Sequence, residues 1–428
     1  MVLDRGPLTG RARLSAAALA LLLALGSLAA PVNQAFGLSD QLAAAADPYS
    51  EANAIRGALA YLHKGLFADA SLPETTFGHL YPETGHLPKY QGQRHVDTHY
   101  PPGPTWLAAA MRHACGTRPL SCLRSLPLAV SGVGAFVLAL ALLVSLGTAR
   151  GLVVALAAFA VPLYSNMMLG LHYQGYALAL LSLQLGGLLF LYGAGRPLAA
   201  RDLALAGSLG FVQGWLSFDY FFLVAFAAVP IAVLFSDLRE PCARKRLLVL
   251  VGISAGSFAF AHALHFLQVV AYYGDFMAAL DDLLGVARER ADPGLSALEP
   301  PPAWVSDPWM ISSIFLFVLA KRPAHFGFSV GYALLAGLSV LVLLRGSRIS
   351  LPGTGRRLYV DSSTRPAWAI VVAVIVSCAW ISAMPGHAHT HPHFIPRHLF
   401  LAWLVLLLAL LRSLRLEAGA AARLPSGG

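Results

Sequence analysis

Long apolar runs alternate with short polar segments along most of the chain. The runs approach the roughly 20 residues that a helix needs to cross a bilayer, and they predict an all-α integral membrane protein with about ten transmembrane helices. The composition agrees, because 57% of the residues are hydrophobic and only 12% are charged. The runs are Leu14 to Ala30, Leu126 to Leu146, Leu152 to Met168, Tyr176 to Tyr192, Leu203 to Phe218, Tyr220 to Phe235, Leu247 to Val270, Phe326 to Leu344, Trp368 to Met384 and Leu399 to Leu411.

The basic residues predict the orientation of these helices. Because cytoplasmic loops are enriched in Lys and Arg, the loops with Arg150, Arg196, Arg244 and Arg356 are expected inside, with both termini. These loops also account for the net charge of +9, so nucleic-acid binding is not expected. The stretch Trp309 to Ala320 is short for a crossing and is interpreted as a re-entrant or interfacial helix on the outer side. Eleven spans remain the alternative.

The spans divide the chain into five segments, and the segment after the first span contains two further predicted helices. The stretch Tyr49 to Phe67 has helical periodicity and Trp106 to His113 predicts a second helix, both at the outer interface. A disulfide between Cys115 and Cys122 requires that this region be exported. Residues 1–31 are predicted to form the cytoplasmic N-terminus and the first transmembrane helix, and residues 32–125 an outer-face loop with interfacial helices. Residues 126–272 are predicted to form transmembrane helices two to seven. Residues 273–325 are predicted to form an outer-face region with the re-entrant or interfacial helix, and residues 326–428 the C-terminal transmembrane helices with a histidine-rich outer loop.

Acidic, histidine and tyrosine residues gather in the segments predicted to lie outside. Ionisable groups next to lipid are costly unless they are solvated or partnered, so this asymmetry predicts an active site on the outer face. His95, Asp97 and His99 alternate and would project together from an extended segment. The other candidates are Asp47, Tyr49 and Glu51 after the first span, Tyr100 before the second, His172, Asp219, and the loop from Pro385 to His398.

The arrangement resembles the polytopic glycosyltransferases of the C superfamily (GT-C fold), which include protein O-mannosyltransferases and lipid A aminoarabinose transferases. The resemblance rests on Asp47, Tyr49 and Glu51 ahead of an interfacial helix, and on the stretch Tyr100-Pro101-Pro102-Gly103-Pro104 before the second span. These motifs lie in the first part of the chain, whereas the topology extends along all of it. The chain is short for the two named groups and shows no soluble C-terminal domain, so smaller bacterial members are the expected relatives.

The resemblance implies transfer of a sugar from a polyprenyl-phosphate donor to a lipid, glycan or protein acceptor, with inversion at the anomeric carbon. Asp47 matches the general base, and Glu51 is the second catalytic candidate. Cations stabilise the leaving phosphate, and Arg397 is the best candidate because guanidinium can bind two oxygens; His398, Lys321 and Arg322 are the others. The candidates for substrate binding are Tyr49, Asp97, His99, Tyr100, His172, Asp219, His391 and His393.

The expected setting is the cell inner membrane, with a multi-pass chain and the active site on the periplasmic or extracellular face. No cofactor is required by the resemblance. A divalent metal stays open, because His387, His389, His391 and His393 alternate and imidazole suits zinc. The alternative functions are a small-molecule or lipid transporter and a metal-dependent membrane hydrolase or ligase that uses the histidine loop. Simpler roles also stay open: Asp47 as a helix cap and Lys321-Arg322 as interfacial anchors.

Overall fold

A computed structural model describes residues 10–38, 48–77, 94–159, 170–171, 173–193, 196–291, 326–351, 356–385, 387 and 395–418. Within these ranges the chain is mainly helical, and five helices are long and apolar enough to cross a membrane. The fold is therefore that of a helical membrane protein, as the apolar runs predict. The ten-span count stays a prediction, since residues 160–169 and 292–325 lie outside the described ranges.

The helices correspond closely to the apolar runs and to the interfacial segments. A π-helical turn, Leu189–Gly193, continues α6. The helices are α1 Gly10–Leu38, α2 Pro48–Lys64, α3 Gly103–Cys115, α4 Leu120–Leu146, α5 Thr148–Phe159, α6 Tyr173–Leu188, α7 Ala200–Leu216, α8 Phe221–Phe226, α9 Ala228–Phe235, α10 Pro241–Tyr273, α11 Phe276–Ala291, α12 Phe326–Leu343, α13 Arg365–Ala383, α14 Ile395–His398 and α15 Phe400–Ser413.

One predicted apolar run, Tyr220 to Phe235, is divided between α8 and α9. Ala227 keeps helical dihedral angles between them, with φ −55° and ψ −29°. Pro230 has no backbone N–H and cannot donate to the carbonyl four residues earlier. The hydrogen-bond ladder is therefore interrupted while the chain continues in nearly the same direction.

A small β-sheet departs from the all-α prediction. Strands β1 (Arg348–Leu351), β2 (Arg356–Val360) and β3 (Leu414–Ala418) form an antiparallel sheet in the order β1-β2-β3. Arg348 pairs with Tyr359, and Val360 pairs with Leu414. The sequence carried a signal for the first two strands, because they flank Pro-Gly-Thr-Gly, which favours a turn. Their arginines were instead interpreted only as a basic loop.

The region between α1 and α4 contains the two expected interfacial helices, α2 and α3. The Cys115–Cys122 disulfide is present and joins the end of α3 to the start of α4. Helix α4 begins at Leu120, ahead of the apolar run that starts at Leu126. Arg124 lies in this added part and is fully buried.

Polar contacts gather at two opposite ends of the helices. At the first, which we call the sheet end, Arg365 forms an ion pair with Asp237 at 2.6 Å, and Arg412 lies over the ring of Phe235 at 4.3 Å. The second, which we call the cavity end, holds α2, α3 and α11. It also holds the buried side chains of Asp219 and Arg397.

Glycine residues allow close helix contacts in the apolar body, and Gly134 and Gly210 are two examples. A Cβ at Gly134 of α4 would lie 2.5 Å from the carbonyl oxygen of Ala179 in α6. A Cβ at Gly210 of α7 would lie 2.6 Å from the carbonyl oxygen of Ser254 in α10. Small residues let backbones approach closely in membrane proteins, and these two contacts hold the helices that carry the cavity end.

Candidate functional site

A cavity of about 180 Å³ lies at the cavity end, between α2 and the loop that precedes α3. Helix α2 contributes Ser50 and Asn53 to its wall, and α6 contributes Tyr173. The loop contributes the most polar part of the wall, namely His95, Asp97, His99 and Tyr100. The cavity is thus lined by groups that can bind hydroxyls and exchange protons.

Backbone pairing positions the loop residues along the cavity. The backbone N–H of Thr75 donates to the carbonyl of His95 at 3.0 Å, and the N–H of Asp97 donates to the carbonyl of Pro73 at 2.8 Å. This short antiparallel pairing extends the segment, so alternate side chains face one way. The structure accordingly brings His95, Asp97 and His99 to the same cavity.

The carboxylate of Glu74 binds Lys64, the last residue of α2, and Arg94, at the start of the cavity loop. Its carboxylate accepts hydrogen bonds from Lys64 Nζ and from Arg94 Nε, the latter at 2.9 Å. Arg94 also pairs with Asp69. Burial opposes ionisation of Glu74, but the hydrogen bonds from Lys64 and Arg94 prevail and lower its pKa.

The lowered pKa predicts an acid-sensitive cavity loop. A depressed carboxyl pKa stabilises the folded state above the ordinary value of 4.5, and the stabilisation is lost as pH falls through the folded pKa. We expect the loop to become accessible to protease below about pH 4.5, while Glu74→Gln is more accessible at neutral pH and lacks this pH dependence. The exposed arginine limits the effect to about 1 kcal/mol or less. Limited proteolysis against pH measures it.

The control for this prediction is Glu240→Gln, because Glu240 is exposed at the sheet end. The control should show the wild-type pH profile. An unchanged profile in Glu74→Gln would contradict the role given to Glu74.

Helix α11 holds the loop from its other side. Thr98 Oγ1 donates to Asp282 Oδ2 at 2.7 Å, and His99 Nε2 lies 3.6 Å from Asp282 Oδ1. The backbone N–H of His99 donates to Asp97 Oδ1 at 2.9 Å. One oxygen of Asp97 is therefore used to shape the loop, and His99 lies between two carboxylates.

Tyr100 connects the cavity to a buried polar cluster behind it. The cluster consists of Tyr100, Asp219, Tyr220, Arg290, Trp380, His387, Arg397 and His398. The ring of Tyr100 stacks on Tyr173 and on Phe218, with centroid distances of 5.4 and 5.1 Å. Its hydroxyl lies 3.4 Å from His387 Nε2. Burial raises the pKa of Tyr100, so its hydroxyl stays protonated.

Asp219 is the central carboxylate of the cluster and is 2% exposed. Trp380 Nε1 donates to Asp219 Oδ1 at 3.2 Å, and His387 Nε2 lies 3.9 Å from the same oxygen. The other oxygen, Oδ2, is buried without a hydrogen-bond partner in the described part of the chain. A buried polar atom without a partner is costly, which is typical of a site that receives a polar group.

Arg397 and His398 are brought into the same cluster and are each 1% exposed. Arg397 Nη1 donates to the hydroxyl of Tyr220 at 3.4 Å, while the ring of His398 stacks between Tyr220 and Trp380. Burial lowers the pKa of His398 to about 3. The imidazole is therefore neutral at pH 7, and positive charge at this position comes from Arg397.

Glu51, predicted as a catalytic residue, points away from solvent and pairs with Arg124. Its two oxygens accept hydrogen bonds from Arg124 Nε and Nη2, each at 3.1 Å, and both side chains are fully buried. This bidentate ion pair fixes α2 to α4. The geometry supports a positioning role for Glu51.

Several predicted site residues lie outside the described ranges. Tyr49 lies in the first turn of α2, and His387 is the described member of the histidine run. In the described ranges no group of three His, Cys, Asp or Glu side chains could hold a metal ion. The predicted residues outside are Asp47, His172, Lys321, Arg322, His389, His391 and His393.

Arg124, Asp282, Arg290 and Trp380 are among the residues at the site that the sequence analysis missed. A signal existed for two of them, because Asp282 and Arg290 lie in a charged segment directly after a long apolar helix, where ionisable groups need a partner. Arg124 stands just before an apolar run and was overlooked. Trp380 falls within an apolar run, where nothing distinguishes a hydrogen-bonding tryptophan from a packing one.

Comparisons with known proteins give a structural likeness only. No protein-family model and no curated protein matches the chain. Three crystal structures of the Archaeoglobus fulgidus oligosaccharyltransferase are similar. The apo form has 15% sequence identity and a TM-score of 0.44, and the match covers 92% of this chain and 50% of that one. The form tethered by a disulfide to an acceptor peptide with the NVT sequon has 14% identity and a TM-score of 0.45, with coverage of 92% and 49%, and the complex with zinc and sulfate has 16% identity and a TM-score of 0.43, with coverage of 90% and 48%.

The chain thus spans about half the length of these solved proteins. Likeness at this identity and TM-score does not assign an activity. The function has to be argued from the cavity and the buried polar cluster.

Proposed function

We propose that this protein is a membrane glycosyltransferase. It transfers a sugar from a polyprenyl-phosphate donor to an acceptor hydroxyl at the outer membrane face, with inversion and with an aspartate as general base. The observation that carries the proposal is the cavity lined by Asp97, His95 and His99. Tyr100, in the same wall, contacts His387 of the buried cluster that also contains Arg397.

The chemistry requires an acid and a cation at opposite ends of the reacting bond. The acceptor oxygen attacks the anomeric carbon and gives its proton to a carboxylate. The bond from that carbon to the phosphate oxygen breaks, and its electron pair stays on the phosphate. Fixed cations stabilise the charge that develops there, so the leaving group needs no protonation. A cavity wall with the carboxylate of Asp97 and the imidazoles of His95 and His99, near a cluster that contains a buried arginine, fits this division of tasks.

The orientation also fits an outward-facing reaction. The sheet end carries Arg244, Arg246, Arg356, Arg365 and Arg412, and cytoplasmic loops are enriched in such residues. The cavity end would then face the periplasm or the cell exterior, where lipid-linked sugar donors and lipid, glycan or protein acceptors could reach it. The ten-span arrangement belongs to this proposal.

A panel of donors tests the reaction. Membranes containing the full chain would be incubated with labelled polyprenyl-phosphate sugars and with the matching nucleotide sugars, and transfer of label to any acceptor would be followed. We expect transfer from at least one polyprenyl-phosphate sugar. Transfer from nucleotide sugars alone would contradict the donor class, and label crossing the membrane unchanged would favour a transporter.

Arg397→Ala is expected to weaken use of the donor more than use of the acceptor. Loss of a hydrogen bond to a charged group costs about 1.5–3 kcal/mol, equivalent to roughly 10- to 100-fold in the donor KM. The measurement is KM for each substrate in purified protein. Equal changes for donor and acceptor would argue against a phosphate role for Arg397.

A further inference from the structure

Arg290 is a buried arginine held by two aromatic rings. It lies in the last turn of α11 and is 9% exposed. Its guanidinium carbon lies 4.0 Å from the ring centre of Phe218 and 4.7 Å from that of Tyr100. The chain therefore keeps a permanent positive charge directly behind the aromatic residue that lines the cavity.

Arg290 differs from the paired arginines of the described chain in having no carboxylate partner. Arg94, Arg124, Arg196 and Arg365 each form an ion pair with an acid within 4.0 Å. No carboxylate among the described residues forms an ion pair with Arg290. Burying a charge is costly unless it is paired and hydrogen-bonded. Contact with two ring faces offsets only about 2 kcal/mol of that cost.

The guanidinium of Arg290 makes no hydrogen bond to another residue of the described ranges. It has five N–H donors, all in the plane of the group, whereas Tyr100 and Phe218 contact it through their rings. A planar guanidinium matches the spacing of two oxygens of a phosphate and can bind both. A buried cation with uncommitted donors is what an anion-binding residue requires.

The surrounding charges favour an anion at this place. Of the described residues, the buried cluster behind Tyr100 contains the cations Arg290 and Arg397 and the carboxylate of Asp219. His398 is neutral at pH 7 because burial lowers its pKa. The charge of Arg290 is therefore not matched by a carboxylate among the described residues, and a phosphate would neutralise it.

We propose that Arg290 binds the phosphate of the lipid-linked donor, with Tyr100 and Phe218 as positioning residues. This rests on the proposed function and extends it to a residue that the sequence analysis did not select. The guanidinium would hold two phosphate oxygens while the bond to the anomeric carbon breaks and its electron pair moves to the phosphate. Arg290 is then the residue that holds the donor next to the cavity.

Ligand-induced stabilisation of the purified full-length protein tests the proposal. The probes are a long-chain polyprenyl phosphate, the matching neutral polyprenol and inorganic phosphate, and the readout is the shift in Tm that each produces. We expect the polyprenyl phosphate to raise the Tm of the wild type and the polyprenol to leave it unchanged. Arg290→Gln should bind the polyprenyl phosphate about tenfold more weakly or worse.

Two further variants separate binding from folding. Arg288→Gln removes an exposed arginine of the same helix and should keep the wild-type shift. Arg290→Lys keeps the charge but not the planar fork, so it should give an intermediate shift if Arg290→Gln does not fold. Because the shift is measured within each variant, a purely structural loss would lower the starting Tm and leave the shift unchanged.

The outcomes distinguish this proposal from the proposed function. An equal polyprenyl-phosphate shift in wild type and Arg290→Gln would overturn the role of Arg290 and leave the donor class intact. A shift with inorganic phosphate alone, lost in Arg290→Gln, would uphold the anion site and argue against a lipid donor. If no phosphate compound shifts the wild type, the assignment of Arg290 is wrong.

Discussion

Asp47→Asn is expected to reduce the rate of glycosyl transfer by at least about 100-fold, since a positioned general base contributes 10²–10⁴-fold. Asparagine has the shape of aspartate but cannot accept the proton of the acceptor hydroxyl. Asp47 lies outside the described residues, but in the sequence it directly precedes α2, whose Ser50 and Asn53 line the cavity. Transfer would be measured at saturating donor in purified protein.

The matched variant is Asp97→Asn, because Asp97 is the carboxylate that lines the cavity in the described part of the chain. If Asp47 is the base, Asp97→Asn should retain more activity than Asp47→Asn. An active Asp47→Asn beside an inactive Asp97→Asn would move the base to Asp97. Near-normal turnover in both would contradict a carboxylate base. Unchanged Tm in both variants would show that the fold is intact.

The second large effect concerns stability and involves Glu51 and Arg124. Removing one member of a buried ion pair leaves the other charge uncompensated and costs about 3–5 kcal/mol. We therefore expect Glu51→Ala and Arg124→Ala each to destabilise the protein strongly, while Glu51→Leu combined with Arg124→Met costs much less. Denaturant titration of the purified protein measures the free energy of unfolding.

Asp237→Asn is the control for this pair. Asp237 also pairs with an arginine, Arg365, but both side chains are more than a third exposed, so the change should have little effect on the free energy of unfolding. Glu51→Gln tests the alternative role of Glu51. Loss of transfer without loss of stability in that variant would make Glu51 a catalytic residue and would contradict the positioning role.

The candidate site could be only partly predicted from the sequence. The alternation of His95, Asp97 and His99 follows from extended backbone, which a loop crowded with Pro and Thr permits. Asp282, the partner of His99, could not be predicted, because most of the predicted membrane helices separate the two residues in the sequence. Glu51 shows the same limit: a glutamate in the first turn of an amphipathic helix looks solvated until the helix opposite it is known.

Three features follow from the amino-acid sequence alone: the class of protein, the positions of most helices, and the separation of the acid- and histidine-rich segments from the basic ones. Apolar runs of bilayer length are a local property, and so is the distribution of arginine between them. The contacts of Tyr100 with the buried cluster behind the cavity, and the pairing of Glu51 with Arg124, are visible only in the folded chain. Such contacts depend on how distant helices pack, and packing selects partners by shape and charge across the whole chain.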